Sequence, residues 1–254
     1  MNESYSKIFD TLFTGKTFVK LTEIDSTNNF LKTWISNNTP IEGTVILADY
    51  QSAGRGQKGT DWQSASGENI TMSLLYLPKF LRATEQFELS MMVSWSIYQL
   101  LREILPEQHV EIKWPNDLMV NRKKICGILI ENGVVGKYLS HSIIGIGLNV
   151  GQSNFDSIQA TSVNVLGGNL SLQAVLAHLL KKLEINYLKL NQEQKTFQSE
   201  YESVLLGKDE ELFFSDEAGE FKGVIQGIET DGRLIIRTSQ GLRYFYHKEV
   251  KFLL

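Results

Sequence analysis

The chain is 254 residues long, with 42% hydrophobic and 21% charged residues and a formal net charge of −4, a balance that suits one well-buried core plus a small accessory domain. This composition excludes a disordered chain, and the acidic balance excludes a surface built to coat nucleic acid, whose affinity rests on neutralised phosphates. Cys126 is the single cysteine, which rules out a disulfide framework; no apolar run reaches membrane-spanning length, the N-terminus lacks a charged region followed by an apolar one, and a cytoplasmic protein without a membrane partner is expected.

Residues 16–24 (KTFVKLTEI) alternate apolar and polar side chains and predict a half-buried strand. DSTNNFLKTWI then places Phe30, Leu31, Trp34 and Ile35 on one helical face, with Asp25 or Ser26 available as the N-cap. Residues 43–51 predict a second strand that feeds the glycine-rich loop 53–62 (AGRGQKGTDW), and residues 69–77 a third. A long apolar-faced helix is expected over 84–105, ending before Pro106. Residues 110–133 (VEIKWPNDLMVNRKKICGILIENG) read as two strands flanking a basic turn at 121–123, with Cys126 packed in a strand, and residues 141–150 as a further strand. Leu172, Val175, Leu176, Leu179, Leu180, Leu183 and Tyr187 follow a helical period. Beyond about Leu206, glycines at turn-like intervals predict a small barrel, so domains are expected over 1–206 and 207–254, the second packed on the first.

Gly54, Gly56 and Gly59 satisfy the spacing of a dinucleotide-binding turn, but the turn-rich TDWQSASGENI follows them where that fingerprint needs a helix. TGKT at 14–17 lacks the upstream glycine of a P-loop, since that position is Asp10, and no two of the four histidines stand at zinc-ligand spacing. What remains is a glycine-rich loop bearing Arg55 and Lys58 among exposed amides, equally explained by a solvated surface hairpin or by an anion site. Lys113, Asn116 and Asp117 in KWPNDL, Lys124 and Gly127 in KKICGIL, and Asn149 after GIGL add cations, amides and small residues at further strand ends. Lys124 within its apolar run is either a side chain snorkelling outward or a cation held at a dry site.

DSTN (25–28), QSAGRGQKGTDW (51–62), KWPNDL (113–118), KKICGILIE (123–131) and GIGLNV (145–150) stand in the order and spacing of the biotin protein ligases, the biotin-[acetyl-CoA-carboxylase] ligases, which this chain resembles most strongly over residues 20–150. The resemblance implies an α+β fold, a mixed sheet flanked by helices of the class II synthetase-like kind, with a C-terminal SH3-like barrel. It also implies an AMP-forming ligase that joins biotin and ATP, with Mg2+, to biotinyl-5′-AMP and passes biotin to a lysine of a biotin carboxyl carrier protein domain. Within it, Ser26, Thr27, Asn28, Gln51, Gly54, Arg55, Gly56, Gln57, Lys124 and Gly127 correspond to the biotin site. Arg55, Gln57, Trp62, Lys113, Trp114, Asn116, Asp117, Lys124 and Asn149 correspond to the nucleotide site, with Arg55 and Lys124 as the catalytic cations and Asp117 at magnesium, directly or through water. Ser26 has a rival role as a helix cap, Asp117 as a turn residue, and Trp62 as packing at the loop base. Gln57 departs from the family, since many bacterial members carry a second arginine there. About twenty residues precede the first motif strand, too few for the DNA-binding domain of bifunctional members, and a monomer or homodimer without a nucleic-acid partner is expected. A lipoate or octanoate ligase and a noncatalytic binding scaffold are the rival readings.

Overall fold

The computed structural model describes residues 9–57, 60–155, 159–192 and 196–253; Lys58 and Gly59 of the glycine loop lie outside them. A seven-stranded mixed sheet is built from β1 (Phe18–Ile24), β2 (Val45–Gln51), β3 (Ile70–Tyr76), β4 (Val110–Lys113), β5 (Asp117–Val120), β6 (Lys123–Val135) and β7 (Tyr138–Leu148), in the order β1-β2-β3-β7-β6-β5-β4. Only the β1–β2 pair is parallel. Residues 110–133 therefore supply three strands where periodicity predicts two, because a cis Trp114–Pro115 bond turns the chain between β4 and β5. The second turn, at Asn121 and Arg122, places both residues at positive φ, the geometry of a tight two-residue hairpin.

Helix α1 (Thr27–Asn37) packs Leu31 against Ile46, Leu75 and Ile143 on one face of this sheet. The long helices α2 (Phe87–Ile104) and α3 (Leu172–Gln192) cover the other face, where Val45, Leu47, Met72, Leu74, Ile144 and Ile146 belong to the main core. Alternation along each strand thus sends successive residues to separate helical layers, which is why β3 is buried along its whole length. The first predicted long helix starts three residues later than its period implied, after a 3-10 turn at Ala83–Glu85, and the second extends to Gln192. Among the described residues no helix is long and apolar enough to cross a membrane.

After the short helix α4 (Gln198–Ser203), strands β8 (Glu211–Asp216), β9 (Gly219–Ile228), β10 (Leu234–Thr238), β11 (Gly241–Phe245) and β12 (Lys251–Leu253) form a separate antiparallel sheet ordered β11-β10-β9-β8-β12, the SH3-like domain. Its Phe214, Ile225, Leu234, Ile236 and Phe245 join the same apolar cluster as the large sheet, so the small domain shares a core that it is too short to build alone. At the junction, buried Trp114 donates from Nε1 to the Gly232 carbonyl at 2.9 Å, and Ile228 N donates to Glu202 Oε1 at 2.8 Å. Replacing Trp114 with phenylalanine leaves that carbonyl unpaired and the ring smaller. A loss of about 1–2 kcal/mol is expected in denaturant unfolding; an unchanged midpoint would mean that the junction does not depend on this bond.

Candidate functional site

The face of the sheet that α1 covers is left open beyond the helix N-terminus, and there the strands carry small residues. Gly145 stands opposite Ser73 and Leu129, and Gly147 opposite Thr71 and Gly127. These glycines answer to close neighbours: a Cβ on Gly147 would sit 2.2 Å from the Trp62 ring, and one on Gly145 would sit 2.6 Å from Asn28 Oδ1. The result is a cavity of about 780 Å³ floored by β6 and β7, walled by the start of α1 and by the loop after β2. A second cavity of about 1000 Å³ lies beyond the loop, reaching Met119, Asn149 and Phe155. Gln51, Arg55, Trp62, Lys113, Asp117 and Lys124 line both, so the cations stand where the two spaces meet.

Lys124 reaches this boundary through a bulge. Asp117 pairs with Gly127 and Leu118 with Cys126, but Met119 pairs with Lys124, leaving Ile125 as an extra residue. Strict alternation would put Lys124 and Gly127, three residues apart, on opposite faces; the bulge brings the lysine round, with its Nζ 3.4 Å from where a Gly127 Cβ would stand. Lys124 Nζ then pairs with Asp117 Oδ1 at 2.7 Å and lies 5.8 Å from the centre of the Trp62 ring. Lys113 is the second cation. Burial first, and then Lys124, holds its ammonium below the ordinary lysine value of 10.5 against the opposing pull of Asp117.

Ser26 occupies the N-cap of α1 with extended backbone, yet its hydroxyl makes no capping bond and lines the first cavity, as does Gln57. Thr27 donates from its backbone N and its Oγ1 to Gln51 Oε1, at 2.7 and 3.0 Å. Asn28 donates to Glu131 Oε2 at 2.8 Å, and the same oxygen pairs with Arg55 Nη2 at 2.7 Å. Gly54 lies against the return of its own loop, where a Cβ would meet the Trp62 carbonyl at 2.2 Å. Gly56 N donates to the Thr60 carbonyl at 2.9 Å. Trp62 packs on Gly147 and Gly127 and also lines both cavities; its Nε1 is buried without a partner among the described residues.

Asn116 lines the first cavity with its amide tied to the Ile128 carbonyl at 2.6 Å, and Asn149 the second with its amide on the Thr161 carbonyl at 3.0 Å. Trp114 shows only 4% exposure at the first cavity. Cys126 is fully buried, and burial pushes its thiol far up, which leaves it inert. Residues that the sequence did not single out are Ser73, 2.5 Å from Asn28 Oδ1, and His247, Lys248 and Lys251 of the small domain, which line the far end of the first cavity. Burial, and then Lys248, holds the His247 imidazole below its ordinary value against the opposing pull of Asp117, which favours the neutral ring. The basic run around 247–251 was visible in the sequence, but nothing in it indicated which domain face it would meet.

The geometry is that of two adjoining ligand spaces with cations on their common wall. Residues 21–149 match the model of the Biotin/lipoate A/B protein ligase family, and residues 214–250 that of the Biotin protein ligase C terminal domain. The Bifunctional ligase/repressor BirA of Bacillus spizizenii is 32% identical over 236 residues, 90% of this chain and 71% of that protein. The Biotin--[acetyl-CoA-carboxylase] ligase of Mycobacterium tuberculosis is 25% identical over 216 residues, 83% of this chain and 79% of that one. Among solved structures, the biotin protein ligase from Aquifex aeolicus in complex with biotin and ATP superposes with a TM-score of 0.76 at 30% identity, covering 93% of this chain and 98% of that chain.

Proposed function

This chain belongs to the biotin/lipoate A/B protein ligase family, and from that premise we propose that it is a biotin-[acetyl-CoA-carboxylase] ligase, acting in the cytoplasm on a biotin carboxyl carrier protein domain. Biotin and ATP are its substrates. The observation that carries the reading is the Lys124–Asp117 pair on the wall common to both cavities, which Arg55 also lines. Biotin enters the first space, its ureido ring toward Ser26, Thr27 and Gln51, and ATP the second, toward Asn149.

The biotin carboxylate oxygen attacks the α-phosphorus, the bond to the β-phosphate breaks, and pyrophosphate leaves with the electron pair. Carboxylate and triphosphate repel, so Arg55 and Lys124 must neutralise charge that grows on the phosphoryl oxygens. A carrier lysine then attacks the acyl carbon of biotinyl-5′-AMP, AMP departs, and the amine loses its proton. The indole of Trp62, with its unpaired Nε1, offers a donor to the adenylate and keeps water from the anhydride. No cluster of three potential metal ligands exists among the described residues, so a magnesium ion would be held by Asp117 together with phosphate and water, as this ion prefers. When bound it would screen phosphate charge.

The test is pyrophosphate release by the purified protein with Mg-ATP and biotin, run beside lipoate and octanoate, with intact-mass analysis of an added apo carrier domain. Biotin-only turnover and one biotinyl increment on the carrier are expected; turnover with lipoate would move the protein to the sister ligases of the family, and binding without turnover would make it a scaffold.

Two further outcomes follow from charge. Gln57 lines the first cavity, and its carbonyl, not its side chain, holds the turn by accepting from Thr60 N and Oγ1 at 2.9 and 2.7 Å. The turn therefore survives substitution, and Gln57→Arg is expected to cut biotinylation of bystander lysines in a lysate about fivefold by retaining the adenylate. Equal bystander labelling by the two proteins would remove any role for this position.

Lys113 starts below 10.5, and a phosphate ligand raises it, so binding takes up a proton between the two values. ATP affinity should fall as pH rises through the lower of them, and the unliganded fold should gain stability over that same window, because the unfolded chain binds more protons there. Lys113→Gln should flatten the alkaline limb of the affinity profile; an unaltered limb would assign it to another group.

A further inference from the structure

Glu131 ends the segment KKICGILIE but lines neither cavity. Its Oε2 accepts from two donors of different character. Asn28 Nδ2, at 2.8 Å, belongs to a residue with 3% exposure, whose Oδ1 is in turn held by Ser73 Oγ at 2.5 Å in the space left by Gly145. Arg55 Nη2, at 2.7 Å, belongs to a side chain 39% exposed on a glycine-flanked loop. One end of the arrangement is rigid and the other is not, so the bond sets the position of the arginine. Asp25, another carboxylate whose charge Arg55 influences, is taken up by Asn29 Nδ2 at 2.9 Å.

We propose that Glu131 is the positioning residue for Arg55, holding its guanidinium at the boundary of the two cavities before either ligand arrives. Through Asn28, Ser73 and Thr27 the same hydrogen-bonded chain reaches Gln51, so the ureido end of the biotin space and the cation at its carboxylate end are held in one register. Among the described residues the pairing to Glu131 uses Nη2 of Arg55, which leaves Nε and Nη1 to meet ligand oxygens. An arginine not held in this way would lose its rotamer freedom during ligand binding. Because Arg55 also meets the charge that grows on the phosphoryl oxygens, a guanidinium held in advance aids both binding and the chemical step, and the contribution of Glu131 falls on kcat/KM. The proposal rests on the assignment of the cavities to biotin and ATP.

The experiment is a double-mutant cycle in biotin-dependent pyrophosphate release with Glu131→Gln, Arg55→Ala and the pair. Glu131→Gln should lower kcat/KM for biotin about tenfold. In the Arg55→Ala background the same change should have no further effect, since the residue acts through Arg55. Additive effects, or an unchanged kcat/KM in Glu131→Gln, would overturn the proposal. Amide hydrogen exchange of residues 53–57 in the ligand-free protein reads the contact without any reaction: faster exchange in Glu131→Gln is expected, and unchanged exchange would overturn it. Absence of biotin-dependent release from the unaltered protein would count against the reaction, while the exchange measurement would still decide the role of Glu131.

Discussion

Lys124→Ala is expected to lower biotin-dependent pyrophosphate release by about 10²–10³-fold, the range for removing one preorganised donor from developing negative charge. Its ammonium stands on the wall common to both cavities, paired with Asp117. Removing it takes away a cation and also leaves the Asp117 carboxylate facing incoming phosphates with only Lys113 to offset it, so the electrostatic change is larger than one lost bond. The fold should hardly notice. The pair is 38% and 23% exposed on its two sides, where ion pairs contribute about 1 kcal/mol or less. The strand position is kept by the backbone, since Lys124 N donates to the Gln159 carbonyl at 2.7 Å and its carbonyl accepts from Thr161 N at 2.9 Å. Lys124→Arg should recover only part of the rate, because a planar fork replaces a compact charge. Measured kcat within a few-fold of the unaltered protein for Lys124→Ala, at an unchanged melting temperature, would remove Lys124 from the chemistry and leave Arg55 as the principal cation.

The largest stability effect is expected far from the cavities, at Glu184. This glutamate of α3 is 5% exposed and accepts from the backbone N of Leu12, Phe13 and Thr14 at 2.5, 2.8 and 2.7 Å, fastening the segment before β1 to the helix. Bonds to a charged acceptor contribute about 1.5–3 kcal/mol each, and donors left unpaired in the interior are costly. These terms are not independent, and Glu184→Ala is expected to lose about 4 kcal/mol in total, or on the order of 10 °C in melting temperature for a chain of this size. Glu184→Gln keeps one acceptor and should lose about half as much. Specific activity per folded molecule, measured well below the transition, should be unchanged for both. A melting temperature within about 2 °C of the unaltered protein for Glu184→Ala, the scatter of a surface substitution, would show that water replaces the carboxylate at no cost.

The two sites were not equally legible. DSTN, GRGQKG, KWPND and GIGLN are contiguous, and their residue types already point to a ligand, so side chains from each were expected in one place and now line two adjoining cavities. Glu184 carries no such mark, being a single acid in a helical period, and its partners stand 170 to 172 residues earlier in the chain. The three-strand course of residues 110–133 was read as two because each strand around the cis Trp114–Pro115 bond has only four residues, too few for alternation to register.

By itself the sequence determined the helix and strand types over the long elements, the change of texture near Leu206 and the residues able to handle an anionic ligand, because periodicity, turn chemistry and side-chain type are local properties. Only the tertiary structure decided that a bulge at Ile125 turns Lys124 toward Asp117, that Glu131 grips Arg55 across 76 positions of sequence, and that Lys248 and Lys251 of the small domain line the first cavity. Strand register and domain docking minimise the free energy of the whole packed assembly, so the direction in which a side chain points depends on partners that no local window contains.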